Sequence, residues 1–429
     1  MRDIIITLMV FGSLPFILRN AYIGVLVWSW ISYMNPHRLT WGFAFDMPFA
    51  QIVAIILFVA LFFDKEKKRI PVNGLTGIWL TFLLWMLVTT LCAIYVDVAL
   101  EQLIKIYKIQ IITILTILLI NTQQKIDWLI WVIVLSIGFF SVKGGVFTIL
   151  TGGVSRVWGP PGGFIQENNS LAVATLMIIP LMAYLYRISK NKWVRYGLIV
   201  AIILSLVSVI GSQSRGALIA IISVGGFFWL KTKGKFFSGV LIFGLACLGW
   251  NLMPESWHQR METIENYEQD ASAMGRINAW QYSINVANAR LTGAGLESWS
   301  DETFVMYAPN SDDVHSAHSI FFSVLADHGW PGLVMFLLIL CLGWQYLNRV
   351  MKFTANQSEM AAQNFLARML QVSLVAYMSG GAFLSLAYFD LPWHLIALAV
   401  LLKHLVVDEH CNKQGGLSND SLPSKKNRA

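Results

Sequence analysis

One histidine and a scatter of arginines carry the chemistry open to this chain. His318 is followed by Ser319, nine further residues and then Gly329-Trp330-Pro331-Gly332-Leu333. It closes a polar segment that begins near Pro254 and lies between long apolar runs. Histidine is the side chain whose ordinary pKa allows proton transfer near neutral pH. A hydroxyl or another weak acid is the group it would deprotonate. The arginines are Arg156, Arg215, Arg260, Arg276 and Arg290. Each offers a planar fork that holds phosphate oxygens in pairs.

Arg215 is the sharpest of these. It sits in Ser212-Gln213-Ser214-Arg215-Gly216-Ala217, between two apolar runs with almost no loop. A guanidinium so close to lipid is costly and marks a functional position by default. The plainer alternative is an arginine snorkelling to the interface. Arg156 opens Arg156-Val157-Trp158-Gly159-Pro160-Pro161-Gly162-Gly163, which runs to Asn168-Asn169. Such a loop lets backbone approach a ligand closely, or is an ordinary turn. Arg276, Trp280 and Ile284 recur at four-residue spacing, which predicts a short amphipathic helix over 274–289. Asp301-Glu302 and Asp312-Asp313 could hold a divalent cation, but neither has a ligand-rich pattern, so solvated loop charge is the better reading. His315, His318 and His328 crowd the end of the segment without a His-Glu-x-x-His pattern. His318 shares a helical face with Phe322, so capping an interfacial helix is its plainer role. His328 precedes a Gly-Trp-Pro-Gly turn and reads as structural. Cys92, Cys247, Cys341 and Cys411 have no metal-ligand spacing and form no disulfide framework. No metal site and no cofactor follow from these residues.

The elements that must position these side chains are membrane helices. Of 429 residues, 56% are hydrophobic and 13% charged, about half the charge of a soluble domain. Apolar runs of roughly 15–24 residues recur, and a bilayer core needs about 20. The fold class is therefore an all-α polytopic membrane protein; a β-barrel would show short alternating segments. Expected spans are 4–18, 20–34, 47–63, 75–95, 102–120, 127–150, 168–186, 194–211, 215–230, 236–253, 330–348, 366–388 and 392–407, giving 12 or 13 according to how the first two short runs are counted. Loop charge alternates. Lys65, Lys67, Lys68 and Arg69, then Lys125, then Arg187 to Arg195, then Lys231 to Lys235, then Arg349 to Arg368 mark one side. The segments 151–167, 211–215 and 254–329 have no lysine and mark the other. By the positive-inside rule the lysine-rich side is cytoplasmic. The side of the N-terminus stays open. Residues 1–407 read as one membrane domain that includes the large outer loop 254–329, and 408–429 as a polar, disordered cytoplasmic tail. The net charge of +7 records topology rather than nucleic-acid binding.

Taken together these residues resemble the O-antigen ligase-like superfamily, which includes O-antigen ligases and Wzy-type polymerases. The resemblance rests on Arg156 with its Gly/Pro-rich run, on Ser-x-Ser-Arg-Gly-Ala at 212–217, on Gly275-Arg276 with Trp280 and Gly293-x-Gly295, and on His318-Ser319 with Gly329-x-x-Gly332-Leu333. The last pattern resembles the ligase signature in full. Tyr33-Met34-Asn35-Pro36-His37-Arg38-Leu39-Thr40-Trp41-Gly42 is similar to a subfamily proposed to be exosortase-associated O-glycosylation ligases. The resemblance implies a GT-C-like membrane glycosyltransferase of about 12–13 helices in the bacterial inner membrane, with its active site facing the periplasm. It implies an undecaprenyl-diphosphate-linked glycan donor and a hydroxyl-bearing acceptor (lipid, polysaccharide or protein). Metal-independent transfer with inversion follows by analogy. Under it, His318 and Arg215 are catalytic, and Arg156, Arg276, Arg260 and Arg290 bind diphosphate or glycan. Trp257, Trp280, Trp299 and Trp330 would stack on sugars or simply pack. Lys105, Lys108 and Lys143 would face a lipid-diphosphate cavity, or else mark misplaced span edges.

Three alternatives stand beside this reading. A polymerase would use the same donor site but accept a second lipid-linked glycan. A lipid-linked glycan transporter or flippase would show discontinuous helices and paired half-repeats, and the sequence has neither. A serine protease built on Gly211-Ser212-Gln213-Ser214 lacks the Gly-x-Ser-x-Gly spacing.

Overall fold

A computed structural model describes residues 1–63, 71–231 and 271–408, with four isolated positions at 236, 239, 244 and 255. Among the described residues there is no strand, and the chain is an all-α polytopic membrane protein. The helices are α1 (Arg2–Arg19), α2 (Ala21–Met34), α3 (Phe49–Phe63), α4 (Gly74–Leu91), α5 (Val96–Leu119), α6 (Gln123–Leu150), α7 (Asn168–Ile188), α8 (Lys192–Gly211), α9 (Arg215–Lys231), α10 (Ala271–Ala289), α11 (Asp301–Tyr307), α12 (Ile320–Phe353), α13 (Ala361–Gly381) and α14 (Asp390–Lys403). Among the described residues, seven segments are long and apolar enough to cross a bilayer: α4, α5, α6, α7, α8, α12 and Asp390–Val407. Apart from those four positions, the expected span 236–253 and the acidic stretch up to Asp270 lie outside the described residues.

Sequence chemistry sets where the helices begin. Asn73 and Thr76 form a reciprocal capping box at the start of α4. Thr122 and Asn191 cap α6 and α8 with side-chain oxygens. The α6–α8 pair packs closely because small residues meet there, with Gly144 and Gly145 against Ser208 and Leu204. The main core runs through α4–α9 and α12–α14. A second cluster joins α1–α3 to the last turns of α5. Buried Tyr33 and His394 link the two groups through a 2.7 Å hydrogen bond.

Contacts between connections sort them to two ends. At one end Asn35 donates to the Pro161 carbonyl (2.7 Å), Gln213 to Gly153 (2.9 Å), and Ile94 N–H to Ala294 (2.9 Å). Asp3 accepts from the Gly42 and Ala44 amides at 3.0 and 3.2 Å. The N-terminus therefore lies at the end that carries 151–167, 211–215 and 290–319. Sequence had left that side open. At the other end Tyr346 donates to Asn73 (3.0 Å), and Lys125 reaches Asn121 (2.8 Å). Arg187, Lys190, Lys192, Arg195, Lys352 and Arg368 lie on connections or helix ends there.

The predicted spans need two corrections. The span expected over 330–348 is part of a 34-residue helix, Ile320–Phe353, kinked at Gly329 (φ 65°, ψ −172°). The run expected to reach 388 stops at Gly381. The kink at Gly329 has a partner. Gly293 (φ 68°) lies against it, and Ala294 N–H donates to the Ala326 carbonyl at 2.8 Å. A Cβ on Gly329 would lie 2.2 Å from the Leu291 carbonyl oxygen, and one on Gly293 would lie 2.4 Å from that of Ala326. Both positions need a left-handed backbone and a bare Cα. We expect Gly329→Ala to combine roughly 1–3 kcal/mol of backbone strain with a backbone clash. Gly77→Ala on α4, where a Cβ meets open space, should be neutral or slightly stabilising. Thermal unfolding in detergent, followed by size-exclusion recovery, separates the two.

Candidate functional site

The turn between α8 and α9 is tied down from two sides. Asn168, at the start of α7, donates to the Ser212 carbonyl at 2.7 Å. Gln213 adopts a left-handed conformation (φ 54°) and donates to the Gly153 and Val154 carbonyls. Ser214 then accepts the Ala217 amide at 3.1 Å, capping the start of α9. Arg215 is the first residue of that helix and is half-buried. A cation at a helix N-terminus opposes the helix dipole, whereas an anion there is favoured. Arg215 and the α9 N-terminus together have the chemistry to attract an anion.

Arg276 reaches the same place from α10, the predicted loop helix. Asn169, Ser214, Arg215, Gly216, Arg276, Phe383 and Leu384 line one cavity of about 50 Å³. Two guanidinium-bearing residues from separate parts of the sequence, and one amide, meet at one small space. Asn169, Phe383 and Leu384 were not singled out from sequence. Asn169 carried a faint signal, being the end of the Gly/Pro-rich run; the two apolar residues carried none.

His318 is held beside this group. It is half-buried, with a left-handed backbone (φ 43°), and α12 starts two residues later at Ile320. The expectation that His318 shares a helical face with Phe322 is overturned, because the turn at His318 precedes the helix. Ser319 takes the N-cap position, yet its buried hydroxyl makes no hydrogen bond. Trp280, one turn beyond Arg276 on α10, clamps the segment from both sides. Its indole N–H donates to the Ala317 carbonyl at 2.8 Å, and its ring stacks on Phe322 at 4.9 Å. Arg276 and the histidine clamp therefore share one face of one helix. The opposite side of α10 is fixed by Asn278, which donates to the Asn310 and Asp313 carbonyls. His315 pairs with Asp313 at 2.7 Å.

Burial lowers the His318 pKa below the ordinary histidine value, and the positive charge of Arg276 lowers it further. Glu167 pulls the other way and His315 adds to the lowering. The imidazole is thereby kept neutral and available as a base at neutral pH.

The remaining candidates separate. Arg156 is exposed on the 151–167 connection and does not line the Arg215 cavity. Arg290 is engaged with backbone, its Nε on the Gly293 carbonyl (2.9 Å) and an Nη on that of Cys92 (2.6 Å). Arg260 and Trp257 lie outside the described residues. His328 is fully buried, bonded to Thr89 (2.7 Å) and Tyr388 (2.9 Å). Trp299 packs on Tyr282, and Trp330 bonds Asn288. Lys105, Lys108 and Lys143 lie inside α5 and α6 and are exposed, and none lines the Arg215 cavity. A cavity of about 940 Å³ lies at the basic end and shares no residue with this site.

Residues 200–337 match the O-Antigen ligase family, and residues 1–190 match a family of unknown function (DUF5935). The first match contains Arg215, Arg276, His318 and both glycine pairs, and it supports the O-antigen ligase superfamily for this chain. No curated protein matches the chain.

The electrostatics make a prediction independent of any assay of turnover. His318, followed by NMR or by pH-dependent modification with diethylpyrocarbonate, should titrate below an ordinary histidine. Arg276→Gln removes a lowering charge and should move that titration to higher pH. An unchanged midpoint would place Arg276 out of electrostatic reach.

Proposed function

We propose that this protein is a membrane glycosyltransferase that passes a glycan from undecaprenyl diphosphate to an acceptor hydroxyl. The observation that carries this reading is the meeting of Arg215 and Arg276 at one cavity, with His318 inside the field of Arg276. The match of residues 200–337 to the O-Antigen ligase family supports it.

In this reaction the acceptor oxygen attacks the anomeric carbon, the bond from that carbon to the diphosphate oxygen breaks, and undecaprenyl diphosphate leaves. His318 takes the acceptor proton as general base. Arg215, Arg276 and the α9 N-terminus neutralise the charge that grows on the leaving diphosphate. Trp280 fixes His318 relative to Arg276 and so acts as a positioning residue. Arg156, exposed on the neighbouring connection, is assigned to the part of the donor outside the cavity. Arg290 is reassigned from substrate binding to bracing the 290–295 connection against α4, because two of its donor groups are spent on backbone carbonyls. Attack opposite the leaving group gives inversion. The reaction is placed on the lysine-poor side, which the positive-inside rule makes periplasmic in a bacterial inner membrane. The exosortase-associated subfamily suggested by residues 33–42 would make the product an O-glycosylated acceptor.

Purified protein with an undecaprenyl-diphosphate-linked glycan and candidate acceptors tests the proposal. Transfer should release undecaprenyl diphosphate, place glycan on a non-prenyl acceptor and persist in EDTA. His318→Ala should cut turnover by roughly 10²–10⁴. Arg215→Lys keeps charge but loses the fork, and should cost about 10²–10³. Chain growth on the prenyl donor alone would make the protein a polymerase. Normal transfer by both variants at matched levels would remove the site assignment.

A further inference from the structure

The 940 Å³ cavity at the basic end is formed where α7, α9, α12 and α13 finish or begin. Three cations from separate elements line it: Arg187 on α7, Lys352 on α12 and Arg368 on α13. All three are exposed, and among the described residues none is paired with a carboxylate. Glu359, the nearest acidic group in sequence, sits on the 354–360 connection and is exposed without pairing to them.

Two of these cations are held by neighbouring side chains. Arg368 Nε donates to Asn364 Oδ1 at 3.0 Å, which fixes the guanidinium plane. Arg187 lies over the Phe365 ring at 4.6 Å. Gln371, 2% exposed, bonds Asn348 at 2.9 Å and forms a polar floor. Beyond them the wall is apolar, with Phe227, Phe228, Met369 and Val372. Cations at the mouth, amides below and hydrocarbon alongside describe an amphiphile with an anionic head. Inorganic phosphate needs far less space, and its site would have no use for the phenylalanines.

We infer that this cavity binds an anionic phospholipid of the leaflet at the basic end, its phosphate between Arg187, Lys352 and Arg368 and its acyl chains along α9 and α13. The inference is independent of glycan transfer. Basic pockets between membrane helices on this side recognise such head groups by the same chemistry.

Native mass spectrometry of the full chain in detergent, titrated with phosphatidylglycerol or phosphatidylcholine, tests it. Phosphatidylglycerol should bind more tightly, and R187Q/K352Q/R368Q should lose on the order of 100-fold in its affinity. Arg368→Gln alone should lose about fivefold, which keeps the test alive if the triple variant fails to fold. K190Q/K192Q/R349Q removes equal charge from the same end outside the cavity and should leave binding unchanged. Equal binding of both lipids, equal loss in the control, or full competition by millimolar inorganic phosphate would overturn the assignment.

Discussion

The contact on which the rest of the site depends is backbone against backbone. Gly293 and Gly329 meet without side chains between them, and Ala294 N–H donates to Ala326 C=O at 2.8 Å beside them. This contact holds the first turns of α12 against the connection that follows α10. It determines where the helix kinks and, from there, where residues 317–319 emerge. Trp280 then grips that segment, and Arg276 follows on the same helix face. The two glycine patterns, some 36 residues apart, are thus one structural feature seen twice.

Under the kink lies a buried polar group that has to be satisfied within the bundle. His328 bonds Thr89 and Tyr388, Tyr388 also donates to Asp327 at 2.7 Å, and the Trp85 indole donates to the His328 carbonyl at 2.9 Å. A glycine kink frees backbone groups from the helical ladder, and neighbouring helices must re-satisfy them at membrane depth. The network joins α4 and the 382–389 turn to α12.

Much of this was legible in the sequence. The alternation of lysine-rich and lysine-poor loops sorted the described connections into the same two groups as their contacts do, because loop charge is a long-range signal that needs no register. The helix over 274–289 followed from the spacing of Arg276, Trp280 and Ile284. What sequence could not give was contact. Trp280 reads equally as a sugar platform or as packing, and only its hydrogen bond to Ala317 shows that it holds His318. Arg290 resembled the other outer arginines until its donors were found on Cys92 and Gly293. The helical face predicted for His318 failed because periodicity does not register a single left-handed residue (φ 43°) in front of a helix.

The same charges that would hold a diphosphate also tune the base. Without a bound anion, Arg276 and burial both favour neutral imidazole at His318. A diphosphate bound between Arg215 and Arg276 would cancel much of that positive field. The imidazolium would then be easier to form, so His318 would gain affinity for a proton once the donor is in place. In the proposed reaction, attack on the anomeric carbon would add further negative charge to the leaving group and strengthen the effect. Under the proposed reaction, a base weak alone and strengthened by its own substrate would couple donor binding to deprotonation of the acceptor. At a half-buried site, where charges interact more strongly than in open water, that coupling would need no motion of the helices. It needs only that α10 keep Arg276 and the Trp280 clamp on one face.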